Sequence, residues 1–275
     1  MSAAETETVR LTKVRKVFPH PKIPADGRPR LRRQTDHSKD TVALRAVTLS
    51  FHAGEGTALL GLPGAGRSTL LHLVTGVLRA DRGRVLVRGR VSGLIGSGAG
   101  FTGDWTLRQN VVASSILLGE SRDRAREQAD AILGFVGMAG RADARLRDLG
   151  PAETKKLGYA TALHTRPDIF LSDDELVVGG SDLREASLAL LAQVPASGRT
   201  LVVTSNSAKL LPQLCTRGVV LDEGRVDFDG GLEEALSRYR ELRDEHRSRH
   251  AKDEEEDDDD ADRRRRHDED DDEEP

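Results

Sequence analysis

Apolar and polar positions along the chain follow two periods in turn, the period of two that is typical of strands and the period near 3.6 that is typical of helices. Seven segments have the pattern of strands: 8–18, 42–53, 57–60, 84–91, 168–173, 200–204 and 219–222. Six have the pattern of helices: 67–76, 106–136, 151–163, 183–194, 208–214 and 232–246. We expect 42–53 and 57–60 to pair as a hairpin across Gly54-Glu55-Gly56. The alternation further along predicts an α/β fold with a mainly parallel sheet covered by helices.

The length and composition narrow the classes of protein. At 275 residues the chain can bury one substantial core. No apolar run approaches the roughly 20 residues that cross a bilayer, and the polar residues 1–8 do not resemble a secretory signal, so we expect a soluble protein. The one cysteine, Cys215, excludes an internal disulfide and a cysteine-based metal site. Aromatic residues make up 3%, too few for surfaces that stack single-stranded nucleic acid, so we expect no nucleic-acid partner.

Charge divides the chain into a mildly basic body and a strongly acidic end. The net charge is -4, but residues 251–275 carry 16 acidic and 5 basic side chains, or -11, which leaves +7 on residues 1–250. We expect 1–245 to form the folded domain and 246–275 to be a disordered tail, because so few apolar residues cannot offset chain entropy. The tail either binds partners or inhibits the protein itself, or it only keeps the protein soluble. Residues 20–40, rich in proline and arginine, are expected to be an exposed basic insertion that contacts acidic lipids or a partner, or acts as a linker.

A glycine-rich loop between a predicted strand and a predicted helix has the spacing of a phosphate-binding loop. Gly61, Gly66 and Ser68 match G-x-x-x-x-G-K-[ST], and Arg67 stands where the pattern has lysine. Glycines let backbone N–H groups approach phosphate oxygens, and the following helix adds the positive end of its dipole. The residues expected to hold a triphosphate are Gly61, Leu62, Pro63, Gly64, Ala65, Gly66, Arg67, Ser68 and Thr69. The planar guanidinium of arginine is not equivalent to the compact ammonium of lysine, so binding can survive where hydrolysis suffers.

Carboxylates follow the apolar strand at 168–173. Acidic residues at a strand end in a phosphate-loop fold indicate Mg²⁺ binding. We therefore expect Asp173 and the hydroxyl of Ser68 to hold the metal ion that accompanies ATP.

The order of these features, from phosphate loop to acidic strand end, resembles that of ABC-transporter nucleotide-binding subunits. Three stretches resemble the branch that exports polysaccharides, O-antigens and teichoic acids: Val74 to Phe101 with its GAGF turn, Thr106 to Gly119, and the LVVGG of Leu176 to Gly180. The resemblance covers roughly residues 8 to 240. It implies the P-loop NTPase fold of an ABC nucleotide-binding domain, with antiparallel N-terminal strands, a mainly parallel sheet and a helical subdomain at 106–163.

The resemblance also implies an assembly and a location. In such subunits two nucleotide-binding copies face each other, and each ATP lies between one phosphate loop and the signature segment of the other copy. A second nucleotide-binding subunit, identical or different, and a separate membrane (permease) subunit are therefore the expected partners. The chain is expected to be cytoplasmic, peripheral on the inner face of the cell membrane.

When the family pattern is aligned with this sequence residue by residue, each catalytic motif has an altered position. The signature serine and its glycines fall on Gly150, Pro151 and Ala152 within LGPAE, so a hydroxyl and a backbone N–H are lost. Gly96 takes the place of a polar residue near the attacking water, and Gly180 that of an aspartate which communicates across the dimer. With the altered positions 174 and 206, described next, five motifs differ from the family pattern, and together they predict impaired hydrolysis.

The catalytic positions implied by the resemblance are Asp174, Glu175 and Asn206. In the favoured register Asp173 is the Mg²⁺-side acid, and Asp174 replaces the glutamate that positions the attacking water. Aspartate is shorter by about 1.5 Å, and a misplacement of about 1 Å can cost about a hundredfold in rate. A slip of one residue would restore an Asp174-Glu175 pair. Asn206 stands at the switch position, which is usually histidine, and an amide cannot titrate.

Two functions from different classes fit the sequence. The first is an ATP-binding subunit of a polysaccharide-type exporter with impaired hydrolysis, and the second is a catalytically inactive, nucleotide-sensing or regulatory protein that holds partners through its tail. A small-molecule kinase also begins with a phosphate loop, but it gives no reason for the 93–119 region or for LVVGG.

Overall fold

The computed structural model describes residues 7–20, 40–94, 100–173, 179–205 and 209–248. The predicted basic insertion, apart from its end residues 20 and 40, lies outside these ranges, as does the predicted charged tail after 248. Gly96, Asp174, Glu175 and Asn206 also lie outside them.

Two sheets form the centre of the molecule. Strands β1 (Glu7–Phe18), β2 (Thr41–His52) and β4 (Arg82–Val87) make an antiparallel sheet in the order β2-β1-β4. The six-stranded sheet has the order β5-β6-β7-β3-β8-β9, and its strands are β3 (Gly56–Gly61), β5 (Val91–Leu94), β6 (Ile169–Asp173), β7 (Thr200–Thr204), β8 (Arg217–Asp222) and β9 (Arg225–Gly231). Every neighbouring pair in it is parallel except β8 with β9. The α/β fold with a mainly parallel sheet and antiparallel N-terminal strands is confirmed.

Helices cover both faces of the large sheet. Helix α1 (Arg67–Val74) follows β3, α5 (Pro151–Leu163) precedes β6, α6 (Ser181–Ala196) lies between β6 and β7, and a last helix, α7, covers residues 232–248. The predicted bounds of α5 and β7 agree with the structure to the residue. Pro151 occupies the first turn of α5, where its missing N–H costs no helical hydrogen bond.

The predicted helical segment at 106–136 folds as three short helices, α2 (Leu107–Leu117), α3 (Arg122–Glu127) and α4 (Ala129–Phe135). Thr106 caps α2 by accepting a hydrogen bond from the backbone N–H of Gln109, and the Gln109 side chain accepts one from the backbone N–H of Thr106. These helices enclose their own apolar cluster around Leu107, Ile132 and Leu157. The helical insert therefore has a core separate from that of the sheets.

The predicted hairpin of 42–53 with 57–60 is wrong. β2 pairs with β1, whereas β3 pairs in parallel with β7 and β8. All six residues of β3 are buried, as expected for a central strand of a parallel sheet that is covered on both faces. The chain between the strands turns at Gly54 and passes from one sheet to the other.

The predicted helix at 208–214 is also wrong over its described part, 209–214. There the chain makes only a turn and a single short 3₁₀ segment, Leu211–Gln213. Pro212 lies in that segment, and a proline lacks the N–H that would continue a longer helix.

The antiparallel sheet packs with only one of its faces on the core. Val9, Leu11 and Val14 of β1 are fully buried in a cluster with Leu70, Val202 and other residues of the large sheet and of α1. The residues between them on β1, including Arg10 and Lys13, are exposed. This is the alternation expected of an antiparallel sheet with one solvated face.

Candidate functional site

The glycine-rich loop lies at the carboxyl end of β3, the strand at the centre of the large sheet. Gly61, Gly64 and Gly66 have φ values of +155°, +84° and +101°, which side-chain-bearing residues rarely adopt. A Cβ at Gly61 would stand 2.6 Å from the carbonyl oxygen of Leu221, and one at Gly66 would stand 2.5 Å from that of Ala43. The loop is therefore held close to β8 on one side and to β2 on the other.

The start of α1 is suited to a negatively charged ligand. Gly66 is its N-cap and has no side chain to cap the helix, and the first turn holds no acidic residue. The first N–H groups of a helix have no partner inside it and carry the positive end of the dipole. Ser68 is exposed at this end, and Arg67 and Thr69 are half-buried. The structure thus brings the sequence-predicted phosphate residues 61–69 together at one helix end.

A cavity of about 300 Å³ opens onto the loop. Its walls are Phe18, Thr41, Ala43, Leu62 and residues 64–69. Phe18 is 39% exposed at the end of β1, and the ammonium of Lys16 lies 5.5 Å from the centre of its ring. An exposed aromatic ring beside a phosphate site can stack on a flat base. Phe18 was not predicted as a site residue, although an aromatic residue that ends a strand just before the basic insertion is a recognisable signal.

Asp173 lies at the carboxyl end of β6, two strands from β3. The hydroxyl of Thr204 donates a hydrogen bond of 2.7 Å to Asp173 Oδ1, which orients the carboxylate. No cluster of three or more His, Cys, Asp and Glu side chains occurs within the described ranges. Mg²⁺ needs only one or two protein ligands beside substrate phosphates, so the oxygen donors Asp173 and Ser68 fit this ion.

The beginning of α5, where the family resemblance places the signature segment, is exposed. Gly150 is the N-cap, and the backbone N–H of Gly150 and the Arg141 guanidinium donate to the Glu153 carboxylate at 3.3 and 2.7 Å. These two donors, the backbone one first, lower the pKa of Glu153. The exposed positions Pro151 and Ala152 add no hydroxyl. Residues 150–152 therefore supply no side-chain hydroxyl that could donate a hydrogen bond to a phosphate.

The catalytic positions expected from the sequence cannot be placed in this site. Asp174, Glu175, Asn206 and Gly96 lie outside the described residues. Gly180 is described and forms the N-cap of α6. The favoured register and its one-residue slip both remain predictions.

Comparison with known proteins agrees with this geometry. The sequence profile of the ABC transporter family matches residues 44–177, from β2 through the helical insert and β6. Residues 44–177 therefore form an ABC transporter domain. Its relatives include proteins of the polysaccharide export branch, as the sequence predicted.

Three curated proteins are similar to this chain. The ABC transporter protein AbcA of Aeromonas salmonicida is 32% identical over 73% of the chain and 65% of its own length. The O-antigen export system ATP-binding protein RfbB of Myxococcus xanthus is 31% identical over 76% and 48%. The teichoic acids export ATP-binding protein TagH of Enterococcus faecalis is 29% identical over 72% and 44%. The chain therefore spans about half to two thirds of the length of these relatives.

A solved structure confirms the fold. A dimeric ATP-binding cassette, determined in a post-hydrolysis state with ADP and phosphate, superimposes with a TM-score of 0.64 over 82% of the chain and 98% of its own length. The two sequences are 20% identical, so this likeness concerns the fold alone. None of the helices in the described part of the chain has the length and apolar character needed to cross a bilayer.

Proposed function

We propose that the chain is the ATP-binding subunit of an ABC exporter for a polysaccharide, an O-antigen or a teichoic acid. The observation that carries the proposal is the cavity lined by Phe18 and the phosphate loop, where the ring would stack on a base and the loop would hold phosphates. The names of the relatives RfbB and TagH support the class of cargo. Mg²⁺ would be held by Ser68 and Asp173 and would neutralise charge on the phosphates.

ATP is proposed to lie between two nucleotide-binding subunits, with one phosphate loop facing the start of α5 of the other. The exposed Pro151 and Ala152 support weak contacts at that second face. Arg67 in place of lysine and Asp174 in place of glutamate support slow hydrolysis as well. A second, catalytically competent subunit would then supply most of the turnover.

A groove between the sheets and the helical insert is proposed as the docking surface of the membrane subunit. Its volume is about 390 Å³, and Thr75, Val77, Val91, Leu117 and Leu118 are among its walls. Val77 and Leu117 are 72% and 70% exposed, and apolar side chains grouped on a surface in this way mark a site of contact with another protein. Docking there would place the subunit on the inner face of the cell membrane.

Binding and hydrolysis of Mg-ATP should be measured on one purified sample, with Arg67→Lys and Asp174→Glu as reversions towards the family pattern and Ser68→Ala as the loss control. We expect clear binding, little turnover, a partial gain of turnover in the reversions, and weakened Mg²⁺-dependent binding in Ser68→Ala. Turnover at ordinary transporter rates that depends on Ser68 would overturn the impaired-hydrolysis part. Failure to bind ATP would overturn the proposal as a whole.

The alternative is a catalytically inactive, nucleotide-sensing or regulatory protein, which the altered start of α5 also favours. The two proposed functions differ at Val77 and Leu117: in the exporter a membrane subunit covers these side chains, whereas the regulatory protein has no such subunit. Replacing both with aspartate should abolish association with a membrane subunit encoded beside this gene and leave ATP binding intact. If no such subunit is encoded nearby and the double variant keeps every interaction of the wild type, the regulatory function is favoured.

A further inference from the structure

The solvated face of the antiparallel sheet carries a concentration of positive charge that the nucleotide site does not use. On β1, Arg10 and Lys13 lie between the buried residues Val9, Leu11 and Val14, and Arg15 follows Val14; all three basic side chains are exposed or half-exposed. On β4, Arg82 and Arg84 are exposed. We name these five residues, Arg10, Lys13, Arg15, Arg82 and Arg84, the cationic face.

The pairing of the strands sets like charges beside one another. Arg15 is directly opposite Arg82 in the ladder, and Thr12 is directly opposite Arg84. Side chains directly opposite have Cβ atoms about 5 Å apart, and like charges in such pairs destabilise a sheet. Across the described parts of the chain, no carboxylate lies within ion-pair distance of Arg82 or Arg84. Arg82 and Arg84 are therefore not neutralised by any described part of the domain.

Two carboxylates that lie beside the face, those of Asp81 and Glu7, are already engaged. Asp81 accepts hydrogen bonds from the Val17 backbone N–H at 2.6 Å and from Lys16 Nζ at 3.1 Å. Slight burial raises its pKa, but those two bonds and the charges of Lys16 and Arg15 outweigh that effect, so the pKa of Asp81 lies below its usual value. Glu7 pairs with Arg10 at 2.8 Å and approaches Arg88 at 3.9 Å.

The described chain ends beside the same sheet. His246 Nε2, near the end of α7, lies 3.6 Å from Asp222 Oδ1 at the end of β8. The next residue, Glu223, accepts a hydrogen bond from Arg45 Nε of β2 through its carbonyl oxygen at 3.0 Å. β2 in turn pairs with β1, where Leu44 is opposite Lys16. The chain that follows residue 248 therefore starts at the β2 edge of the antiparallel sheet.

That following chain carries the complementary charge. Residues 253–260 are eight consecutive carboxylates, and they begin five residues after Ser248. Five extended residues span about 17 Å, and neighbouring strands are about 4.8 Å apart, so β4 lies about 10 Å beyond β2. The acidic run can therefore reach across the sheet from β2 to Arg15 and Arg82.

We propose that the acidic run 253–260 binds the cationic face of its own chain, lying across β2, β1 and β4. Several carboxylates then neutralise the Arg15 and Arg82 pair together with Arg84, and because the run is tethered, its local concentration is high. The contact depends on ionic strength, because exposed charges are screened by salt. This interaction does not depend on the proposed transport function.

The test uses the full chain with a fluorophore on Ala261→Cys, at the end of the acidic run. Cys215 does not compete for the label, because it is 4% exposed and burial raises the pKa of its thiol to about 12. We expect high fluorescence anisotropy at about 0.05 M NaCl and a clear drop at about 0.5 M, where the screening length falls to a few ångströms. Arg82→Glu with Arg84→Glu should give the low value without added salt.

A matched control keeps the change in net charge equal. Arg122→Glu with Arg126→Glu reverses two exposed arginines of α3 in the helical insert, and it should keep the anisotropy of the wild type. A second variant alters no described residue: the carboxylates of 253–260 are replaced by their amides, and the anisotropy should again be low. This variant keeps the test decisive if the reversals on β4 disturb folding.

Three results would overturn the proposal. Equal anisotropy in the wild type, the β4 reversals and the amide variant would show that the run does not contact the face. Anisotropy that rises with protein concentration would assign the face to a second copy. If wild type and amide variant bind phosphatidylglycerol vesicles equally well and the β4 reversals alone abolish that binding, the face belongs to a lipid surface. The proposal requires tighter vesicle binding by the amide variant.

Discussion

Thr204 donates a hydrogen bond of 2.7 Å to Asp173, and the two residues are also direct neighbours in the parallel pairing of β6 with β7. The bond joins the ends of two buried strands at the edge where the phosphate loop lies. The bond orients the carboxylate of Asp173, which is the predicted metal ligand at the end of β6. Thr204 is therefore placed to influence how well Asp173 would hold Mg²⁺ in the proposed site.

Replacing Thr204 with valine should weaken Mg-ATP binding by about 2- to 10-fold, the value of one hydrogen bond. The affinity for ATP without Mg²⁺ should change much less, because Thr204 acts through Asp173. Isothermal titration with and without the metal separates these two effects. An equal loss in both titrations would show a general disturbance of the sheet and contradict the positioning role.

Thr57 in β3 is the control for removing a hydroxyl from a buried strand. Its Oγ1 is buried, and no hydrogen-bond partner for it occurs among the described residues. An unsatisfied buried hydroxyl costs about 1–3 kcal/mol, so Thr57→Val should leave the free energy of unfolding unchanged or raise it. Urea unfolding measures this directly, and a loss above about 1 kcal/mol would mean that the hydroxyl has a partner.

Phe18→Ala should reduce the affinity for ATP by about 5-fold or more, because stacking on a base contributes about 1–3 kcal/mol. Phe18→Tyr should keep the affinity, and inorganic tripolyphosphate, which has no base, should bind the wild type and Phe18→Ala alike. The matched control is Leu86→Ala, which removes an apolar side chain of similar exposure, 38%, from β4. An equal loss for tripolyphosphate would exclude stacking as the cause.

His164 gives the stability a defined dependence on pH. Burial lowers the pKa of its ring, partly opposed by a hydrogen bond with the Ala160 carbonyl, and the ring packs edge to face on Phe135 at 4.9 Å. Below about pH 6.5 the unfolded chain binds a proton that the folded chain resists, so the free energy of unfolding falls as the pH drops. One proton contributes at most about 1.4 kcal/mol per pH unit, and the loss ends below the folded pKa.

In the variant His164→Phe, the free energy of unfolding should lack the part of its pH dependence that His164 causes. Urea unfolding at pH values from about 7.5 to about 5 compares the variant with the wild type. The variant can be less stable at neutral pH, because it loses the bond with Ala160, but its stability should fall less on acidification. An identical slope in both proteins would show that other groups cause the acid sensitivity.

Much of the fold could be predicted from local patterns. The proline at 151 and the apolar spacing after it define α5, and the run of buried β-branched residues defines β7, so both bounds were correct. The pairing of β2 was predicted wrongly, because adjacency in sequence favours a hairpin and no local signal shows that β3 needs two parallel neighbours. Pairing is a property of the whole sheet.

Only part of the candidate site could be predicted, because some of its residues come together only when distant strands pair. The phosphate loop is one continuous segment with its own spacing, so residues 61–69 could be named from the sequence. Phe18 and Thr204 were missed, since each reaches the site only through the folding of a distant strand. A contact between positions 31 residues apart, such as that of Thr204 with Asp173, has no periodicity to reveal it.

The carbonyl group of Ala43 stands close to two glycines that are far apart in sequence. A Cβ at Gly66 or at Gly224 would come within 2.5 or 2.6 Å of its oxygen, and the N–H of Gly224 donates to Ala65 in the phosphate loop at 3.2 Å. Opening of the antiparallel sheet would therefore release the loop and the β8–β9 turn in one event. A ligand that orders the loop should slow hydrogen exchange at the Arg45 amide, which donates to Gly224 at 2.7 Å. Occupancy of the proposed nucleotide site would thus be measurable at a backbone amide of β2, which lies outside the glycine-rich loop itself.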